Sequence, residues 1–576
     1  MINIQALFHQ PLSNYAFSID ENTLIFRLRT AKDDIDKVIF HFGDTAYQDN
    51  PIQYTSVQMA LFAADEYFDY YEIMIKDSYK RIVYYFELCQ KQNKVYYYGD
   101  HVYDEVSIER NDMYKLPYHR KEDIIDVPKW LKKAIIYNIF PDSFATSKNL
   151  ISGTPSLKNH KGFTVKSKLG GAINGVTENL DYIQNLGFNT VYLNPIFAAG
   201  EYHKYDIIDY FSIDPCFGTN DDFLNLVNEC HLRDMKIIID GVFNHSGWNF
   251  FAFEDCVKNG EASVYKDWFY RLEFPVVKPE TYDIKPGYEC FGYERLMPKL
   301  NTSNKEVISY LMKVATYWTK EYHIDGWRLD VADEVDSEFW RIFRKTVKEI
   351  NPEIAIIGEV WQSARYFLDG SMFDSTMNYV FLKYSKDFFA NTKITATEFN
   401  TRIVSLLTRY HKNTNYGQLN LLDSHDTPRF LSHAEGNIQK YELALLFLFT
   451  FVGAPMLFYG DECGLEGLKE EDYRQKMRFE SKHNLIKIIQ SFTSLRNSNL
   501  ALQLGDYRTV YTQEDGGFFV FKRFNEEEEI IIFLNVNEYE VTVEKEFNDC
   551  IVLIHKGYLN NTIQPYGYLV VKRKRS

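Results

Sequence analysis

Between residues 131 and 495 the chain alternates short apolar runs with helical patterns, and eight such runs follow one another. Residues 134–140, 190–193, 236–240, 326–330, 355–358, 377–380, 419–422 and 456–459 read as strands. Ile237, Ile238 and Ile239 are consecutive, as expected of a parallel strand buried on both faces. Residues 179–186 read as a helix. Asn220 is placed to cap another, with Phe223, Leu226, Val227 and Cys230 on one face. Val307, Tyr310, Leu311, Val314 and Trp318 recur at helical spacing. Eight βα units in a row predict an α/β fold, a closed (β/α)8 TIM barrel. A long insertion, about 246–301, separates the third strand from its helix.

The flanks have a different rhythm. Residues 1–121 are short runs rich in β-branched and aromatic residues, the pattern of a β-sandwich. Residues 122–130 are charged and close on Val127-Pro128, which reads as a linker. From 496 to 576 strands return, predicting a second, C-terminal all-β sandwich domain. A net charge of −16 and a pI near 5.4 argue against a nucleic-acid partner. The basic cluster Lys572-Arg-Lys-Arg575 reads as a solvated tail. Seven scattered cysteines without a CxxC pair indicate neither a disulfide framework nor a zinc site. The first ten residues lack a basic stretch followed by an apolar one, and no apolar run approaches about 18 residues. A cytoplasmic protein with no membrane partner is expected.

In such a barrel the C-terminal strand ends carry chemistry. Here the third strand runs into Asp240-Gly-Val-Phe-Asn-His245, the fourth ends Arg328-Leu-Asp330, the fifth Gly358-Glu-Val-Trp361 and the seventh Asp423-Ser-His-Asp426. Any one of these is explained as a satisfied structural polar group. Four at one rim are not. Arg328 and Asp330, two apart on a strand, share a face. A guanidinium keeps a neighbouring carboxylate ionised, and a held, ionised carboxylate serves as a nucleophile. Asp330, Glu359 and Asp426 would share one mouth, where like charges raise at least one pKa and supply a protonated acid. Metal binding is the rival reading of His beside carboxylate, but no HxxxH or HxH spacing occurs at these positions.

These four segments resemble the signature regions of the α-amylase family, glycoside hydrolase family 13. Met297-Pro-Lys-Leu-Asn301 resembles the marker of its neopullulanase, cyclomaltodextrinase and maltogenic amylase group. So do His203-Lys-Tyr-Asp206, Asp214-Pro-Cys-Phe-Gly218 and Phe458-Tyr-Gly-Asp-Glu462. The resemblance implies a retaining hydrolase that cleaves α-1,4-glucosidic bonds, and some α-1,6, in cyclodextrins, maltodextrins, pullulan or starch. Asp330 would be the nucleophile, Glu359 the acid and base, and Asp426 the stabiliser of the distorted −1 sugar. Arg328 would hold Asp330 charged. His245, His425 and His203 would bind −1 hydroxyls and Tyr205 would stack on that ring. Trp361 and Glu334 would line the acceptor side, with Asp472 and Arg474 on the donor side. A glucanotransferase or α-glucosidase on the same fold is the alternative. A non-catalytic glucan-binding protein is disfavoured because all three carboxylates are present.

The sequence departs from the family in places. Relatives bind calcium through an Asn/Asp-rich loop and an Asp after Gly-Gly. Here the loop is Ala145-Thr-Ser-Lys-Asn149, and Gly170-Gly171 precedes Ala172. Calcium takes six to eight oxygen ligands, so no calcium is expected there and no cofactor elsewhere. Pro428 replaces a common Glu and Asp333 a common Asn, both near the acceptor side. In these relatives the N-terminal domain pairs two chains, which implies a homodimer. Tyr67, Phe68, Tyr70, Tyr71, Tyr84, Tyr85, Tyr96, Tyr97 and Tyr98 are candidates for that surface or for the sandwich core.

Overall fold

The structure is a computed structural model that describes residues 2–76, 81–147, 156–158, 164–279, 285–481, 483–543, 547 and 550–574. Lys148 and Asn149 of the loop noted above, and Arg575 of the basic tail, lie outside the described residues. The chain divides into two compact units. One comprises Met1–Asp126, Thr392–Tyr416 and Gly505–Ser576, the other Val127–Asn391 and Gly417–Leu504.

In the first unit, the N-terminal strands form two antiparallel sheets. One orders Ala16–Ser18, Thr23–Ala31, Phe68–Lys76 and Ala60–Ala64. The other is built around Lys37–Asp44, Ile82–Gln90 and Asn93–Tyr98. Phe26, Phe40, Tyr84 and Phe86 interdigitate between them. Of the candidate surface tyrosines, Tyr71, Tyr84, Tyr85, Tyr97 and Tyr98 are buried in this core, whereas Tyr67 is 66% exposed. The helix Ala396–Arg409 belongs to this unit. Its first turn is closed by a capping box between Thr395 and Glu398. The C-terminal strands form one six-stranded sheet, with Thr562–Lys574 pairing on both sides.

The second unit is the barrel. Its strands are β1 Ile136–Ile139, β2 Thr190–Leu193, β3 Lys236–Gly241, β4 Gly326–Leu329, β5 Ala355–Gly358, β6 Ser375–Asn378, β7 Leu419–Leu421 and β8 Ala454–Phe458. Each pairs in parallel with the next, and β1 closes on β8. Ile136, Tyr192, Ile238, Ile357, Met377, Leu421 and Met456 fill the interior. Helix α1 (Asn220–Leu232) begins one residue earlier than its sequence signal. Thr219 is the cap: its hydroxyl accepts the Asp222 N–H, and the Asp222 carboxylate accepts the Thr219 N–H in return. Asn220 instead bridges Ile213 and Phe211 of the preceding strand. The sixth strand was expected at 377–380 but ends at Asn378, whose side chain accepts the Phe381 N–H and starts the helix Tyr379–Ser385. Helix α2 (Lys305–Glu321), opened by the Asn304 cap, buries Val307, Leu311, Val314 and Trp318. Among the described residues no helix is long and apolar enough to cross a membrane.

Candidate active site

The site is built on one guanidinium. Register places Arg328 of β4 opposite Asp240 of β3 and Ile357 of β5. Its side chain is fully buried, and three carboxylates meet it. Nη1 donates to Asp240 Oδ1 at 2.9 Å and to Asp330 Oδ1 at 2.8 Å. Nη2 lies 2.8 Å from Glu359 Oε2, an ion pair without the alignment of a hydrogen bond. Asp240 also accepts the Tyr192 hydroxyl at 2.8 Å.

The backbone after Asp330 turns sharply. Val331 sits in the left-handed region at φ 46°, a costly conformation for a β-branched residue. That turn aims the Val331 N–H at Glu359 Oε2, 2.9 Å away. Glu359 Oε1 accepts the Trp361 indole N–H at 3.1 Å. Trp361, 47% exposed, stacks face to face on Tyr379 with centroids 3.8 Å apart. A flat aromatic platform thus stands beside Glu359 at the rim.

Burial pushes both Asp330 and Glu359 upward. Arg328 opposes the shift in each, and neighbouring carboxylates reinforce it. The two differ in how they meet Arg328: Asp330 takes an aligned hydrogen bond and Glu359 an unaligned ion pair. Asp426 differs. Burial would raise it, but His425, Arg474 and Arg328 together hold its carboxyl well below the usual range. Its Oδ2 lies 2.9 Å from His425 Nε2 and its Oδ1 3.2 Å from Arg474 Nη2.

His425 is fully buried, contacts Asn194 Nδ2 at 2.9 Å through Nδ1, and stacks on Tyr205. The Tyr205 hydroxyl lies within hydrogen-bonding distance of both His425 Nε2 and Asp240 Oδ2. His245 is pushed down to about 3 by burial and by the charge of Lys299, so its ring is neutral. Its Nε2 is buried without a hydrogen-bond partner among the described residues. An orphaned ring nitrogen at a barrel mouth is poised for a ligand hydroxyl. Phe291 of the insertion stacks on this ring, 4.9 Å away at 15°. His203, pushed down to about 4 chiefly by burial, packs against Tyr205 and is close enough to His245 to influence it.

Arg474 donates to the His425 carbonyl at 2.8 Å and also engages Tyr202 and Glu470. Glu334 is exposed and pairs with Lys299 at 3.0 Å. Asp472 is exposed, and its carboxylate engages no described residue. Asn194, Asp240, Lys299, Phe291, Tyr379 and Val331 complete the site; Asp240 and Lys299 stand in motifs read from the sequence but without a role, and the other four were not singled out. Asn194 had a signal, being the polar residue directly after β2. For Phe291 and Tyr379 sequence spacing offers none.

Residues 138–499 match the α-amylase catalytic domain and residues 1–120 the α-amylase N-terminal Ig-like domain. The chain belongs to the α-amylase family. Among members of that family, a cyclomaltodextrinase of Bacillus sp. is 38% identical over 97% of this chain and 99% of its own. Neopullulanase 2 of Thermoactinomyces vulgaris is 37% identical over 99% of each. A solved cyclomaltodextrinase structure superposes with a TM-score of 0.89 at 35% identity, covering both chains fully.

Three residues before Ala145, at the base of the loop associated with calcium in the family, the Asp142 carboxylate accepts the Ser167 hydroxyl and the Lys168 and Leu169 N–H groups. Among the described residues no group of three His, Cys, Asp or Glu side chains is arranged to hold a metal. The described donors there do not fit calcium's need for six to eight oxygens.

Proposed function

We propose that this chain is a retaining α-glucan hydrolase of the cyclomaltodextrinase, neopullulanase and maltogenic amylase kind. It cleaves α-1,4 bonds, and some α-1,6, in cyclodextrins, maltodextrins, pullulan or starch. The observation that carries this reading is Arg328: one buried guanidinium holding Asp330 and Glu359 side by side while Asp426 stands charged across the mouth.

Asp330 attacks the anomeric carbon of the −1 glucose as Glu359 gives its proton to the departing glycosidic oxygen. Glu359, now ionised, takes a proton from water, and that water releases the sugar from Asp330 with overall retention. The Asp426 carboxylate stabilises positive charge at the distorted ring. His245, His425 and His203 bind its hydroxyls, Tyr205 stacks on its face, and Trp361 on Tyr379 supports the leaving sugar. Glu334 borders the acceptor side, and Arg474 and Asp472 the donor side. The chain works without calcium at the Asp142 loop and without any cofactor.

Seven cysteines, none of them in a disulfide, support residence in a reducing, cytoplasmic compartment. The chain pairs as a homodimer through its N-terminal domain, and sedimentation showing monomer at all concentrations removes that part. The central test is an assay on β-cyclodextrin, pullulan and starch side by side, following the anomeric form of the first product by NMR. The α-anomer is expected, and a first-formed β-anomer refutes the mechanism. Glu359→Gln should lose about 10²–10⁴-fold in kcat.

A further inference from the structure

One cation near the mouth has no part in the mechanism above. Lys299 follows the insertion strand Glu294–Pro298 and forms an antiparallel backbone bridge with His245. The Ser246 and Leu300 N–H groups close on the Pro298 and Asn244 carbonyls at 3.1 and 3.0 Å, which ties the insertion to the end of β3. The Lys299 side chain is 19% exposed, and its ammonium meets three acceptors, one for each N–H it carries. They are the Asn244 side-chain oxygen, the Glu334 carbonyl at 3.1 Å and Glu334 Oε2 at 3.0 Å. Asn244 lies three residues past β3, and Glu334 ends the short turn Ala332–Glu334 that follows β4. Three separate segments therefore converge on one ammonium.

Each contact has a consequence. An ammonium only donates, so the Asn244 atom it meets is the oxygen, and the amide nitrogen is left facing His245 Nδ1 at 3.3 Å. Lys299 thus fixes which way this buried amide points, and the amide backs the His245 ring. At Glu334 the hold is double, on the carbonyl and on Oε2, so backbone and carboxylate are pinned together. Glu334 Oε1 receives no donor from the described residues, and the side chain is 47% exposed. A pinned carboxylate with one oxygen open to solvent is ready to accept a hydroxyl. Released from Lys299, it would sample several rotamers and offer that oxygen in no fixed place.

We propose that Lys299 is a positioning residue that governs how the glucosyl intermediate is divided between water and a sugar acceptor. In either case the bond from the anomeric carbon to Asp330 breaks, a bond to the acceptor oxygen forms, and the acceptor's proton passes to Glu359. Water needs no further guidance. A sugar must arrive with its ring aligned, and Glu334 Oε1, held by Lys299, takes a second hydroxyl of that sugar. The inference rests on the reading of Glu334 as bordering the acceptor side.

The test uses the full chain with maltotriose as donor and methyl α-glucoside as added acceptor, and reads the ratio of transfer to hydrolysis products by chromatography. Glu334→Gln should lower that ratio about tenfold, the loss of one hydrogen bond to a charged group. Lys299→Met should lower it about as much, and the double variant no further, because both act through one carboxylate. Lys299→Arg still donates to a carboxylate and a carbonyl and should restore most of the ratio. Asn244→Asp keeps an oxygen for Lys299 but loses the N–H toward His245, so its hydrolysis should slow with the ratio unmoved. A residue that merely supports the fold lowers both products together and leaves the ratio alone. Thermal melts run alongside, and Lys299→Gln carries the same comparison should Lys299→Met fail to fold. A ratio that falls in Glu334→Gln but not in the Lys299 variants overturns the role of Lys299 alone, as does a double variant that loses the product of the two single effects. An unchanged ratio in Glu334→Gln overturns the acceptor-side reading and the proposal with it. Absence of any transfer product from the wild type at saturating acceptor also overturns the proposal.

Discussion

Replacing Arg328 by Gln should move the acid limb of the pH profile rather than merely lower the rate. Three carboxylates touch this guanidinium, but they do not depend on it equally. Asp240 keeps the Tyr192 hydroxyl and Glu359 keeps the Val331 N–H and the Trp361 indole. Among the described residues Asp330 has no hydrogen-bond donor other than Arg328. Asp330 is therefore the group that answers the loss by taking up a proton. Breaking a buried ion pair by removing one partner costs about 3–5 kcal/mol. At about 1.36 kcal/mol per pKa unit, that corresponds to an upward shift of roughly 2–4 units in Asp330. Burial already raises Asp330, Arg328 pulls it back, and removing Arg328 leaves the upward pressure unopposed. The nucleophile then ionises only at higher pH. The acid limb of kcat/KM for a maltodextrin should move up by roughly 2–4 pH units, and activity recovered at alkaline pH should exceed that at neutral pH. Thermal unfolding run in parallel establishes that the variant is folded. An acid limb that stays in place while kcat falls refutes the assignment of that limb to Asp330 and of its charge to Arg328.

Two further outcomes follow from other buried groups. Lys204 and Asp214 pair at 3.0 Å with no side-chain exposure on either, so Lys204→Met should cost about 3–5 kcal/mol and lower Tm by on the order of 10 °C. The double variant Lys204→Met, Asp214→Asn should recover part of that loss in the same melt. Because Asp142 is occupied by protein donors, a chelator should leave Tm unchanged, and protection by added calcium that the chelator abolishes would contradict this.

The barrel was legible because buried parallel strands read as uninterrupted apolar runs, and Ile237–Ile239 leave little other choice. The strand ends were less sharp. At β6 the capping chemistry of Asn378 converts what reads as strand into helix, a decision made by one side-chain hydrogen bond. The carboxylates and Arg328 could be found because the barrel puts chemistry at strand ends and period two puts Arg328 and Asp330 on one face. Asn194 obeyed the same rule and was overlooked. Phe291 and Tyr379 could not be found that way. One stacks on His245 from a remote insertion and the other lies under Trp361 from a helix start, and sequence spacing records neither encounter. The left-handed Val331 is invisible for the opposite reason: a β-branched residue advertises strand, and only the close approach of Glu359 shows why the backbone turns there.

The burial of Arg328 also decides how the enzyme meets its solvent. Counter-ions screen charges they can approach, over a Debye length of about 8 Å at physiological ionic strength. Exposed pairs such as Lys166–Glu201 sit in that atmosphere, as does most of the net −16. The guanidinium and its three carboxylates are sealed from it, with Arg328 and Asp240 at zero side-chain exposure. Turnover of an uncharged sugar should therefore be indifferent to added sodium chloride across concentrations that measurably alter the protein's colloidal behaviour.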